Sequence, residues 1–291
     1  MAPETTAAAR ADTLATAVTW LFVPASRPDR FAKAVRSGAD AVIIDLEDAV
    51  PAGEKDAARD ALRDGWPSVA DSRSSLGGGG APAVAVRVNA RTTAEFAADA
   101  RLCRELAPDA VVLPKAESGD DVRAAAEASR ALVLPLIESA RGLVELSHIA
   151  GRPETVRLLF GGIDLALDLG TADDAALDPS RSDLVRWSAA CSLPPPVDGV
   201  TTDVRDGTAA ARDAARARRW GFGGKLCVHP AQVAPVDTAF APDAAELEWA
   251  REVLAVGDEG AARRGGEMID RPVVERARRL LRRAEGRDRT M

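Results

Sequence analysis

Seven apolar runs in this chain each close on a polar or charged residue. VIID continues into Leu46-Glu47-Asp48, AVAV closes on Arg87-Val88-Asn89, and VVLP closes on Lys115. LPLI ends at Glu138, LLFGGI at Asp164, the run at Gly199–Thr202 near Asp203, and GKLCV at His229. Water begins at the end of any buried strand, which accounts for a single residue of this kind but poorly for a ring of seven. Glu138 and Asp164 are the strongest pair. Carboxylates placed side by side repel, and a divalent cation removes that cost. An oxygen-donor site suits Mg²⁺ or Mn²⁺, which would act as a Lewis acid on an oxyacid substrate. A structural ion pair with Arg87 or Lys115 is the competing reading. Arg87 itself offers a rigid fork for a carboxylate or a developing oxyanion.

Other groups carry weaker signals. Gly161-Gly162, just before Asp164, permits close approach of a ligand to the backbone. His229 precedes Pro230 at a strand end and reads as a hydrogen-bonded anchor, while His148 in LVELSHIAG packs or faces solvent. Cys103, Cys191 and Cys227 are odd in number and far apart, which argues against a disulfide framework or a thiolate zinc site. Only two His and four Lys are present, and there is no Tyr, so any chemistry falls mainly to carboxylates and arginine.

Positioning such a ring requires strands whose ends converge. Short β-branched runs occur at Trp20–Pro24, Ala41–Leu46, Ala83–Asn89, Ala110–Pro114, Leu132–Ile137, Arg157–Gly161, Gly199–Thr202 and Gly224–Val228. Amphipathic Ala/Arg-rich segments separate them, as at Lys55–Arg63, Thr93–Leu106, Asp120–Arg130 and Thr208–Arg218. Eight strands with a helical crossover between each pair imply an α/β fold with a parallel sheet closed as a (β/α)8 barrel. An open doubly wound sheet is the alternative. In a barrel, functional groups come from the C-terminal strand ends, where the ring lies.

The expected organisation is a poorly ordered stretch at residues 1–19, a barrel at 20–240 and a helical extension at 241–291. The extension contains two amphipathic segments, Asp243–Val256 and Arg271–Ala284, suited to a lid or an oligomer contact. Asp71–Pro82 (DSRSSLGGGGAP) reads as a flexible insertion on the face opposite the site. The 291 residues carry 38 Lys+Arg against 45 Asp+Glu, a net charge of −7, which disfavours nucleic-acid binding. Without a signal-peptide pattern or a run of ~18 apolar residues, the chain is expected to be soluble and cytoplasmic, with no membrane partner.

LFVPASRPDRFAKAVRSGADAVIIDLEDAVP, AVRVNARTT, VVLPKAES, LPLIESARGL, LLFGGIDLALDLG, GKLCVHPAQV and GEMIDRPVVERARRLL follow one another in the chain. Together they resemble the citrate lyase β-subunit-like family of CoA-ester lyases, within the HpcH/HpaI aldolase superfamily. The resemblance covers residues 20–284. It implies Mg²⁺ ligation by Glu138 and Asp164, a substrate arginine at Arg87, and CoA contacts from Phe22, Arg27 and Lys33. It also implies a catalytic aspartate at Asp270, supplied by a neighbouring subunit of a homo-oligomer (trimer or hexamer). Glu47-Asp48 stands where related pyruvate aldolases carry Glu-His, making Asp48 a second choice for proton handling. Ala25-Ser26 departs from the usual Gly-x. The implied activity is Mg²⁺-dependent cleavage, or Claisen formation, of malyl-, methylmalyl-, citramalyl- or citryl-CoA, giving an oxoacid and an acyl-CoA. A thioesterase, a non-CoA oxoacid aldolase, and a lyase subunit acting on an acyl-carrier-protein thioester within a complex are the alternatives.

Overall fold

Alternation along eight buried strands organises the computed structural model, which describes residues 3–77, 81–204, 206–257, 262–264 and 267–288. The strands are β1 (Thr19–Pro24), β2 (Ala41–Asp45), β3 (Ala83–Arg87), β4 (Ala110–Leu113), β5 (Leu132–Ile137), β6 (Leu159–Phe160), β7 (Val197–Asp198) and β8 (Gly224–Cys227). They pair in sequence order, all parallel, and β1 closes the ring against β8 with Leu21 opposite Cys227. This is the expected TIM-barrel-like α/β fold.

Side chains along a strand point alternately to its two faces, so each strand contributes to two cores. Trp20, Ala41, Ile43, Ala83, Ala85, Ala110, Val112, Leu134, Leu136, Leu159, Val197 and Leu226 fill the barrel interior. The intervening residues, such as Val42, Ile44, Val84, Val86, Val111 and Val133, face an outer layer of helices. Those helices are α1 (Pro3–Thr16), α2 (Phe31–Val35), α3 (Lys55–Ser75), α4 (Phe96–Leu106), α5 (Gly119–Ser129), α6 (Ala140–Val144), α7 (Leu146–Ala150), α8 (Gly162–Asp168), α9 (Asp178–Ala190), α10 (Gly207–Trp220) and α11 (Val233–Phe240). Amphipathic spacing explains the packing of α3, whose Ala58, Leu62 and Val69 turn inward.

Three local differences from the sequence expectation have physical causes. The N-terminal stretch includes α1, whose Leu14 is fully buried; Arg157 donates to the carbonyls of Leu14 and Ala17 at 3.0 and 2.6 Å. The segment read as a flexible insertion is helical through Ser75. Ser72 accepts from Arg36 at 2.9 Å and Arg73 pairs with the buried Asp109 at 2.9 Å, so α3 continues while it still has partners. Residues 78–80 of that segment lie outside the described residues. The seventh strand is Val197–Asp198, not Gly199–Thr202: Val197 N–H donates to Leu158 O at 2.9 Å, and Gly223 N–H to Pro196 O at 2.9 Å. The β-branched Val200 and Thr201 follow the ladder and sit in the loop beyond it.

Residues from Ala241 onward make a second compact unit. It comprises α12 (Ala244–Gly257), an antiparallel hairpin of β9 (Ala262–Arg264) and β10 (Glu267–Ile269), and α13 (Arg271–Asp288). Ala250, Val253, Ile269, Ala277 and Leu280 form its core, and the Arg276 guanidinium lies 4.8 Å over the Trp249 ring. No described helix is long and apolar enough to cross a membrane.

Candidate active site

Continuing the inward-facing positions past the ends of the strands leads from hydrocarbon into a cavity of about 390 Å³. Trp20 is followed by Phe22, Ile43 by Asp45, Ala85 by Arg87, Leu136 by Glu138 and Leu226 by Val228, and all five second members line that cavity. Asp48 from the β2 loop and Asp164 from the first turn of α8 join them. The sequence-predicted Phe22, Asp48, Arg87, Glu138 and Asp164 are thus brought together at the C-terminal mouth of the barrel.

Asp45 and Arg87 are direct register partners on β2 and β3. Arg87 Nε and Nη2 each donate to an Asp45 oxygen at 2.7 Å, a buried bidentate pair. The fork expected to be open to substrate is therefore half occupied: its Nε/Nη2 edge belongs to Asp45. Nη1 lies 3.3 Å from Asp48 Oδ2 and 2.9 Å from Glu47 Oε2. The Phe22 ring stacks 4.9 Å from the guanidinium carbon. Burial works against the arginine's charge, but the Asp45 hydrogen bonds and the charges of Asp45, Glu47 and Asp48 outweigh it and raise its pKa. Arg87 stays a cation.

The acids around it are short of positive charge. Glu47 Oε2, although near Arg87, is out of line for a hydrogen bond and is buried without a hydrogen-bond partner. Burial pushes the Glu47 carboxyl up to about 7, with Asp48 and Asp45 adding to the rise and Arg87 opposing it. Burial pushes Glu138 up to about 8, assisted by the charges of Glu47 and Asp164 and opposed by the Lys115 N–H. That N–H donates to Glu138 Oε1 at 2.8 Å from a residue in the left-handed region (φ 47). Five carboxylates (Asp45, Glu47, Asp48, Glu138 and Asp164) surround one buried guanidinium. Glu138 and Asp164 fit a divalent cation in the way Mg²⁺ prefers, with one or two carboxylates and the remaining positions left to water and substrate. No group of three or more His, Cys, Asp or Glu suited to a metal comes together among the described residues.

Backbone chemistry makes room for this arrangement. A Cβ on Gly161 would lie 2.4 Å from Glu138 Cβ and 2.6 Å from its Oε2, so glycine there lets the carboxylate rest against the chain. Lys55 Nζ donates to the carbonyls of Leu46 and Glu47 at 2.8 and 2.7 Å, and Asn89 Nδ2 to Leu46 O at 3.0 Å, pinning the acidic loop. Asp45 was given no role in the sequence, and Glu47 was named only as the neighbour of Asp48. The parity of AVIID, with Ala41 and Ile43 inward, is the signal that points to Asp45.

The other expected residues of the barrel do not line the cavity. Arg27 and Lys33 are exposed beyond β1 and do not line the cavity; Arg27 makes a bidentate surface pair with Asp29 at 2.9 Å. Asp270 belongs to the second unit, where its Oδ1 accepts from Val273 N–H at 3.2 Å at the start of α13. His229 anchors a short turn by accepting from Ala231 N–H at 3.2 Å, and His148 faces solvent beside Glu145. Lys225 points outward from β8 and is buried against Asp198 at 3.1 Å, a structural ion pair.

The HpcH/HpaI aldolase/citrate lyase family model matches residues 19–230. A citrate lyase subunit beta-like protein of Mycobacterium tuberculosis is 37% identical over 274 residues, spanning 91% of this chain and 94% of its own. A (3S)-malyl-CoA thioesterase of Cereibacter sphaeroides is 31% identical, spanning 91% and 93%. Among solved structures, CitE from M. tuberculosis in complex with magnesium, acetoacetate and coenzyme A aligns with a TM-score of 0.80 and 36% identity, covering 93% of this chain and 99% of that one. The family match starts at the first strand of the barrel and ends just past the eighth, so it includes every strand that feeds the cavity. The chain belongs to the HpcH/HpaI aldolase/citrate lyase family.

Proposed function

We propose that this protein is a Mg²⁺-dependent carbon–carbon lyase, cleaving a 3-hydroxyacyl-CoA thioester into an oxoacid and an acyl-CoA, or joining them in the reverse Claisen direction. One observation carries the reading: Glu138, Asp164 and Arg87 line one cavity at the barrel mouth, where the acids outnumber the cations. CitE of M. tuberculosis bound to magnesium, acetoacetate and coenzyme A supports it, as does the citrate lyase beta subunit of that organism bound to oxaloacetate and magnesium. Glu138 and Asp164 would hold the cation, which supplies Lewis-acid polarisation of the oxoacid's oxygens.

The chain's own groups do the rest. Arg87, held cationic, stabilises the negative charge that develops as the bond between the two fragments breaks and the thioester fragment leaves as an enolate. The substrate hydroxyl gives up its proton in that step to Asp48, exposed at the mouth. Asp270 from a neighbouring subunit returns a proton to the enolate carbon. Phe22 walls the acyl end, and Arg27 and Lys33 meet the CoA phosphates from the rim.

Incubation with Mg²⁺ and malyl-, methylmalyl-, citramalyl- or citryl-CoA tests the reading by detection of the released oxoacid. Full activity of Glu138→Gln or Asp164→Asn in the presence of a chelator would sink it. The (3S)-malyl-CoA thioesterase relative favours one further outcome, hydrolysis of the thioester on the same residues. Free CoA thiol appearing with no oxoacid distinguishes that reaction.

A further inference from the structure

Asp45 accepts four hydrogen bonds at the mouth of the barrel, and no step of the proposed reaction uses it. Its Oδ1 accepts from Arg87 Nε at 2.7 Å and from Glu47 N–H at 2.9 Å. Its Oδ2 accepts from Arg87 Nη2 at 2.7 Å and from Ala49 N–H at 3.0 Å. Each oxygen serves one guanidinium donor and one backbone donor. The residue is 1% exposed, and with a roughly four-acceptor carboxylate filled in this way it is neither a free base nor a free ligand.

The consequence falls on Arg87. A guanidinium has five N–H donors in a fixed plane. Asp45 takes Nε–H and one hydrogen of Nη2, and Asp48 Oδ2 accepts from Nη1 at 3.3 Å, which leaves one hydrogen each on Nη1 and Nη2 at the far end. The Phe22 ring stacked on the guanidinium opposes tilting out of that plane. The two backbone donors belong to the turn that carries Glu47 and Asp48, and these acids are the ones that approach Nη1. Arginine orientation and loop conformation are thereby set by one carboxylate.

We propose that Asp45 is a positioning residue that aims the Nη1/Nη2 end of Arg87 at the reacting oxygens and locks that aim to the conformation of the Glu47–Ala49 turn. The catalytic consequence rests on the lyase reading above; the clamp itself does not. Substrate then meets Arg87 end-on, never through its Nε/Nη2 edge. Asp45→Asn keeps the volume but turns one acceptor oxygen into an amide donor facing an N–H.

Two measurements on the full-length protein decide it. In protein labelled with ¹⁵N at arginine Nε, the Arg87 signal is identified by its loss in Arg87→Lys. It should exchange slowly in the wild type and shift, with faster exchange, in Asp45→Asn. An unchanged signal overturns the clamp. In turnover, Asp45→Asn should lose about tenfold or more in kcat/KM, mostly in kcat, as is usual when a supporting hydrogen bond to a site residue is removed. Combined with Arg87→Lys, it should cost no more than about a further twofold, because it acts through Arg87. Fully additive losses overturn the positioning role. If the wild type cleaves none of the thioesters, the lyase reading fails while the Nε signal still decides the clamp. Should Asp45→Asn not fold, Asp45→Glu retains both oxygens one methylene further out. It should keep a protected Nε–H yet lower kcat, and a wild-type kcat would refute positioning.

Discussion

Replacing Gly161 by alanine tests the site through a single methyl group. The new Cβ would sit 2.4 Å from Glu138 Cβ and 2.6 Å from Glu138 Oε2, both well inside van der Waals contact. The first contact is with a stiff atom near the backbone, so rotating the carboxylate away does not relieve it. Gly161 cannot easily retreat, since its N–H donates to Ile137 O at 2.9 Å and its carbonyl accepts the Leu165 N–H of α8 at 3.1 Å. Glu138 is held from the other side by the Lys115 N–H. Overpacking of this kind costs about 1–3 kcal/mol of stability. If Glu138 has the proposed ligand role, a displacement of ~1 Å at its carboxylate is worth about 10²-fold in turnover, or about 2.7 kcal/mol of transition-state stabilisation. The expected result is a folded protein with a lowered thermal midpoint, Mg²⁺ affinity reduced in titration calorimetry, and kcat/KM down about 10²-fold by oxoacid release. Gly53→Ala is the control, because nothing lies within 4 Å of a Cβ there and its φ is not positive. Wild-type Mg²⁺ affinity and turnover in Gly161→Ala would refute the placement of Glu138 against that backbone.

Three further outcomes follow from the same geometry. In the metal-free protein, Glu47 and Glu138 are raised to about 7 and about 8, so the folded state keeps protons that the unfolded chain has lost. Their contribution to stability is complete below the ordinary carboxylate range and is lost as pH rises through those values. The thermal midpoint gained on adding Mg²⁺ to chelator-treated protein should therefore grow between about pH 5 and pH 8, and a flat gain contradicts this. Asp99 is fully buried and accepts from Arg59 Nη1 at 2.8 Å, Asn89 N–H at 2.8 Å and Asn89 Nδ2 at 2.6 Å. Asp99→Ala strands those donors and should cost about 3–5 kcal/mol in urea unfolding, with a cost below about 1 kcal/mol counting against a structural role. On the proposed proton-returning role, Asp270→Asn should lower kcat by about 10²-fold or more while leaving Mg²⁺ affinity unchanged, and an unchanged kcat counts against that role.

Much of the barrel could be read along the chain because its signals are local. β-branched runs, helical spacing and strict alternation recur eight times, and each acts within a few residues. β5 falls on its expected residues and β6 is a shorter strand inside its expected run, while β7 lies outside its own. The triple proline at 194–196 obscures where β7 begins, and Val200 and Thr201 mimic a strand although they follow the ladder, Val200 lining the mouth and Thr201 donating to Asp213 of α10 at 2.8 Å. The ring of polar strand ends was also legible, and four of its positions, Asp48, Arg87, Glu138 and Asp164, do line one cavity. Asp203 and His229 belong to the same pattern but lie away from it, because a strand end specifies height along the barrel and not the direction of a side chain.

Alternating hydrophobicity and motif order are properties of neighbouring residues, and with the scarcity of His, Lys and Tyr they determine the barrel, the family and the acidic character of its mouth. The division of labour among the charges depends on residues that meet only after folding. Asp45 and Arg87 are separated by 42 positions and become register partners when β2 pairs with β3. Asp198 and Lys225 are likewise register partners, but they face the outer layer, where they form a structural pair. Four lysines that stand alike in the sequence thus end differently. Lys55 pins a loop through its Nζ, Lys225 is buried in an ion pair, Lys115 serves Glu138 through its backbone, and Lys33 faces solvent. Burial and register set these roles, because the strength of a charge depends on what surrounds it, and that is decided only in three dimensions.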